Sequence, residues 1–102
     1  MKYELEKIDR RLTLYFPADV VSTNVDELFN SDTCKDANWV NLKLELSDAK
    51  MVDSAGLNFV VTLVKQTKAR EGVVEAVISS EHIWRTLMFT CLDKQMTVTF
   101  NN

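Results

Sequence analysis

Turn-forming and chemistry-bearing residues are scarce in this chain. Its 102 residues include only two glycines and one proline, which excludes a loop-rich scaffold. Cys34 and Cys91 lie far apart, with no C-x-x-C and no zinc spacing. They read as reduced thiols, and a chain of this length can bury a core without disulfides or a metal. The single histidine, His82, excludes an H-E-x-x-H site or a histidine cluster, so no metal or other cofactor is expected. Neither G-x-x-x-x-G-K-S/T nor G-x-G-x-x-G occurs, which removes both glycine-rich phosphate cradles. No apolar run approaches the roughly twenty residues that a membrane helix needs. Met1–Glu6 lacks the apolar core of a signal peptide. A cytoplasmic protein is therefore expected. Basic residues are outnumbered, 12 against 15 acidic, and the net charge of −3 speaks against nucleic acid.

What is present is organised around Met51-Val52-Asp53-Ser54-Ala55-Gly56-Leu57. Ahead of it, Val40, Leu42, Leu44 and Leu46 alternate with Asn41, Lys43, Glu45 and Ser47. A period of two marks a strand with one buried face. Behind it, Leu57, Val60, Val61 and Val64 recur at helical spacing. Asp53 and Ser54 thus fall where a strand gives way to a helix. The first N–H groups of a helix lack intrahelical partners. A small polar side chain can cap them, and added negative charge is favoured there.

The rest of the chain falls into elements around this junction. Residues 2 to 8 and Leu12 to Phe16 read as a hairpin turning at Asp9-Arg10, with Pro17 ending its second strand. Ser22 and Thr23 can begin a helix that buries Val21, Val25, Leu28 and Phe29, followed by a polar loop from Asn30 to Asn38. The central strand spans about Trp39 to Leu46. The helix after the junction runs to about Arg70, with Gly72 as its C-terminal cap. Val73 to Ile78 reads as a strand. Ser79 or Ser80 can cap a last helix in which Ile83, Leu87 and Cys91 share one face. Met96, Val98 and Phe100 alternate in a closing strand. The expected architecture is one α/β domain over residues 1–102, in the order β-β-α-β-α-β-α-β. Strands joined through single helices run parallel. The polar face of the central strand places the helices mainly on one side of a mixed sheet.

Few enzyme chemistries survive inspection. Ser54 is not in a G-x-S-x-G elbow, and no carboxylate pair stands out as acid and base. His82 reads as a surface or capping residue near the start of the last helix. Lys65, Lys68 and Arg70 read as a solvated helix face near a negative helix end. Trp39 and Trp84 belong to the core or its rim. Ser54, taken alone, reads as a helix cap, a task its neighbour Asp53 could share.

In this context Met51–Leu57 resembles the signature of the STAS domain, the sulphate-transporter and anti-sigma-factor-antagonist domain. The element order agrees with that family. Thr90-Cys91-Leu92-Asp93 is similar to its T-G-L-D segment, with Cys91 in place of glycine. Asp19 matches the aspartate of its G-x-L-D segment, although Phe16-Pro17-Ala18-Asp19 has no glycine. Where many relatives carry a second serine, this chain has Ala55, which leaves Ser54 as the motif's one hydroxyl.

The resemblance implies a free-standing bacterial anti-sigma factor antagonist that is not an enzyme. Its partner would be an anti-sigma factor that is also a histidine-kinase-like, ATP-dependent serine kinase. Ser54 would be the phosphorylated residue, and a metal-dependent PP2C-type phosphatase would reverse the modification. Asp19, Asp53, Ser54, Ala55, Gly56 and Leu57 would form the partner-binding surface. A monomer is expected when free. The alternative the same resemblance allows is an unphosphorylated structural subunit of a transporter complex, such as a lipid-transport ABC system.

Overall fold

The computed structural model describes residues 2–6, 8–16 and 39–101. The helix expected after Ser22, the loop to Asn38, Asp19 and Cys34 lie outside the described residues. Within them the elements are β1 (Lys2–Glu6), β2 (Arg11–Tyr15), β3 (Asn41–Leu46), α1 (Ser54–Ala69), β4 (Val74–Ile78), α2 (Glu81–Phe89), a 3₁₀ turn (Leu92–Gln95) and β5 (Thr97–Phe100). The five strands form one mixed sheet in sequential order. β1 pairs antiparallel with β2, and β2, β3, β4 and β5 pair parallel in turn.

Period-two patterning decides which way each strand faces. Leu12, Leu42 and Val74 lie in register across the middle strands, and Leu14, Leu44 and Ala76 form the next row. All six are buried. The intervening Lys43, Glu45 and Glu75 sit half-buried on the opposite face. Onto the apolar rows α1 packs Phe59, Val60, Leu63 and Val64, and α2 packs Ile83 and Leu87. Phe16, just past β2, meets Phe59 edge-on at 6.4 Å between ring centroids, seating the first half of α1. Both described helices therefore cover one face, as the polar side of β3 predicts. On the other face, Arg11 Nη2 donates to both carboxylate oxygens of the cross-strand Glu6 at 2.9 Å. That hydrogen bond raises the guanidinium pKa above its ordinary value.

Several boundaries differ from expectation. The first strand ends at Glu6, not residue 8; Ile8 is 96% exposed in the turn. Val73 is exposed and precedes β4, because its N–H is taken by the Asn41 side chain at 2.9 Å. Cys91 does not share the buried face of Ile83 and Leu87: α2 stops at Phe89, and Cys91 is an exposed left-handed residue at φ 61°. The chain then tightens into a 3₁₀ turn that no periodicity announced, and this turn buries Leu92.

The end of α1 is also built otherwise than expected. The left-handed residue is Glu71, at φ 60°, not Gly72. Glu71 N–H donates to Lys68 and Gly72 N–H to Thr67, which is the Schellman pattern. Gly72 is required for another reason: a Cβ there would lie 1.7 Å from the carbonyl oxygen of Val40. Arg70 does more than offset the helix dipole. Its Nη1 donates to the Trp39 carbonyl at 2.7 Å, and its guanidinium lies 3.9 Å from the Trp39 ring centroid.

Candidate functional site

The parallel strands β3 and β4 deliver their carboxyl ends to the same pole of the molecule, where α1 and α2 begin. In open α/β sheets this end is where connecting loops build sites. Serine hydroxyls tie the two connections together. Ser79 Oγ donates to the Ser47 carbonyl, and Ser80 Oγ donates to the Lys50 carbonyl at 3.2 Å. Ser80 Oγ also caps α2 by accepting from Ile83 N–H. Buried Ala49, whose N–H donates to Leu46, roots the loop in the core. The approach to residue 53 is thus fixed from below.

At the junction itself the two polar residues divide their tasks. Asp53 is the N-cap, with extended backbone, and its Oδ1 accepts from Gly56 N–H at 2.7 Å. Its carbonyl accepts the first helical bond from Leu57 N–H at 2.8 Å. Ser54 is the first helical residue, so its reading as the cap is corrected. The Ser54 side chain is exposed, and among the described residues its hydroxyl makes no hydrogen bond. The N–H groups of Ser54 and Ala55 precede the first intrahelical donor and point out along the axis.

The other motif residues support this turn. Gly56 is buried, and Leu57 is half-buried against the core. Ala55 is half-buried, and Met51, on the approach, is exposed. The sequence therefore brings Asp53, Ser54, Ala55, Gly56 and Leu57 into one helical turn, while Asp19 lies outside the described residues. His82 is exposed in the first turn of α2. Thr90-Cys91-Leu92-Asp93 follows α2 at the opposite pole from Ser54.

Chemically, the junction offers an accessible hydroxyl at the positive end of a 16-residue helix. Among the described residues no base is hydrogen-bonded to it. Among the described residues no three His, Cys, Asp or Glu side chains group to hold a metal ion. No described helix is long and apolar enough to cross a membrane. What the sequence did not reveal is the Ser79 and Ser80 lacing. Its only trace was a pair of serines ahead of the last helix.

No family model and no curated protein sequence matches the chain. Solved structures do. One is a crystal structure of a Thermotoga maritima protein, TM1081, named as a candidate anti-sigma factor antagonist. The TM-score is 0.81 at 20% identity, over 98% of this chain and 86% of that one. The NMR structure of TM1081 gives 0.76 at 22% identity, over 97% and 79%. At such identities the likeness shows the fold alone: a small α/β domain with a five-stranded mixed sheet.

Proposed function

We propose that this chain is an anti-sigma factor antagonist working by partner switching. Unphosphorylated, it binds an anti-sigma factor that is also a serine kinase and thereby frees a sigma factor. Phosphorylation of Ser54 releases it, and a PP2C-type phosphatase resets it. The protein acts in the cytoplasm, where such partners meet, and catalyses nothing itself. Asp53, Ala55, Gly56 and Leu57 form the partner-binding turn around Ser54, and Asp19 is the sixth partner-binding residue. The name carried by the structurally similar TM1081 supports this reading.

The observation that carries it is the division of labour at the helix start. Asp53 holds the cap, so the exposed Ser54 hydroxyl is left for modification without cost to the fold. A phosphate adds about −1.5 to −2 charges, taking the formal net charge from −3 to about −5. The outward N–H groups of the first turn accommodate it. A partner fitted to a small hydroxyl beside Asp53 meets like-charge repulsion and a desolvation cost instead.

The test is intact-mass spectrometry after incubation with a histidine-kinase-like anti-sigma factor kinase from the same organism and Mg-ATP, with Ser54→Ala alongside. One added phosphate on the wild type, absent from the variant, is expected. No phosphate from a kinase shown to be active overturns the switch. It would favour the structural-subunit role, in which the domain packs on a transporter ATPase.

A further inference from the structure

The two described helices that begin at the carboxyl pole use different caps. α1 starts behind Asp53 and α2 behind Ser80. Both residue types cap well, but they are not equivalent here. A carboxylate only accepts hydrogen bonds, whereas a hydroxyl donates and accepts through one oxygen. Ser80 uses both capacities. Its Oγ accepts from Ile83 N–H at 3.4 Å and donates to the Lys50 carbonyl at 3.2 Å. A hydroxyl that donates is polarised and accepts better, so the two bonds support each other. Aspartate at position 80 could cap α2 but has no proton for Lys50. Ser79 makes a second tie and no cap, its hydroxyl donating to the Ser47 carbonyl.

These bonds reach the segment that decides where α1 starts. Residues 47–52 carry the chain from the end of β3 to the Asp53 cap. Two of the carbonyls in that segment are held by hydroxyls that lie 30 and 32 residues further along the chain. The turn bearing Ser54 is therefore fixed to the start of α2 by side chains outside the Met51–Leu57 motif.

We infer that Ser79 and Ser80 are positioning residues for Ser54, holding its turn in one place relative to α2 when a kinase acts on it. This rests on the reading of Ser54 as the phosphoacceptor. In the transfer, the Ser54 oxygen bonds to the γ-phosphorus of ATP and the bond to the bridging oxygen breaks. ADP leaves, and the hydroxyl proton passes to a base of the kinase. Such a step depends on an attacking oxygen held in line, and a displacement of about 1 Å can cost on the order of a hundredfold in rate. With the ties lost, the Ser54 hydroxyl stays accessible but its position spreads. The loss falls on turnover at saturating substrate, not on the fold.

Two amides report the Asp53 cap directly: Gly56 N–H donates to its Oδ1 and Leu57 N–H to its carbonyl. The test is amide hydrogen exchange of the full chain, with phosphorylation kinetics alongside. The kinetics use Mg-ATP and a histidine-kinase-like anti-sigma factor kinase from the same organism. Ser80→Asp keeps the α2 cap and drops the tie to Lys50. Ser79→Ala drops the tie to Ser47, adds no charge and leaves both caps in place. Each should speed exchange at Gly56 and Leu57 by about tenfold, with Leu44 in β3 and Leu63 in α1 unchanged. Each should lower kcat for Ser54 phosphorylation by about tenfold. Ser80→Thr, which keeps donor and acceptor, should match the wild type in both measurements. Wild-type exchange at Gly56 and Leu57 in Ser80→Asp and Ser79→Ala overturns the proposal. So does faster exchange spread evenly over the chain, which marks a purely structural role, or an undiminished kcat. A wild type that gains no phosphate refutes the reading of Ser54 instead, and exchange alone then decides whether the two serines fix its turn.

Discussion

The carboxylate of Asp53 reaches over Ser54 to accept the N–H of Gly56 at 2.7 Å. That bond separates two residues that sequence reasoning treats alike, since both serine and aspartate are favoured helix caps. Asp53→Ala should lower stability by about 1 kcal/mol, within the usual range for a lost cap. Ser54→Ala removes an exposed hydroxyl that bonds to nothing described, so it should change stability by less than about 0.5 kcal/mol. Urea denaturation of the two variants measures the contrast. A larger loss for Ser54→Ala would make serine the cap and undo the division of labour at the site.

At the far end of the same helix, residues 71 and 72 should respond in opposite directions. Glu71 pays for a left-handed backbone, so Glu71→Gly should stabilise by roughly 0.5–1 kcal/mol, even after the extra flexibility of glycine in the unfolded chain. Gly72→Ala drives a Cβ into the Val40 carbonyl oxygen. Backbone on both sides leaves no flexible group to yield, and a loss of about 4 kcal/mol or more is expected. Thermal melts of the pair check both signs.

Those two residues also show where sequence stops being informative. The alternation of Leu42, Leu44 and Leu46 with Lys43 and Glu45 was enough to place β3 and its buried face. The spacing of Val60 and Val64 placed α1, because periodicity records burial directly. A glycine near a helix end, by contrast, has several physical reasons to be there. Only the approach of Val40 shows that Gly72 is needed for space and that Glu71 makes the turn. Likewise the i, i+4 spacing from Leu87 to Cys91 continues a helical pattern that the backbone abandons at Phe89. At the site, the sequence placed Asp53 and Ser54 at the helix start but could not choose the cap. That choice depends on which residue has extended dihedrals.

Cys91 stands in the left-handed region, at the position where the resembled T-G-L-D segment has glycine. Glycine takes that backbone freely, whereas the Cys91 side chain opposes it. Cys91→Gly should raise stability by roughly 0.5–1 kcal/mol, the left-handed penalty less the entropy of glycine. Cys91→Ala keeps the penalty and should leave stability near the wild-type value. Chemical denaturation under reducing conditions separates these outcomes from any effect of thiol oxidation.

The proposed Ser54 switch, acting at the surface, has a spectroscopic signature distinct from that of a conformational change. Ser54→Asp places a carboxylate at the first helical position, where the dipole favours negative charge by about 0.3–1 kcal/mol. The neighbouring Asp53 carboxylate offsets part of that gain. Stability should therefore stay within about 1 kcal/mol of wild type. Backbone amide resonances should shift around residues 52–58 and at the laced loops near Lys50 and Ser80, and not along β2, β3 and β4. Affinity for the proposed kinase partner should fall by tenfold or more, because the interface and not the fold bears the new charge. Shifts spread through the central strands would mean that charge at residue 54 reorganises the sheet. Release of the partner would then be a conformational event rather than a repulsion at the surface.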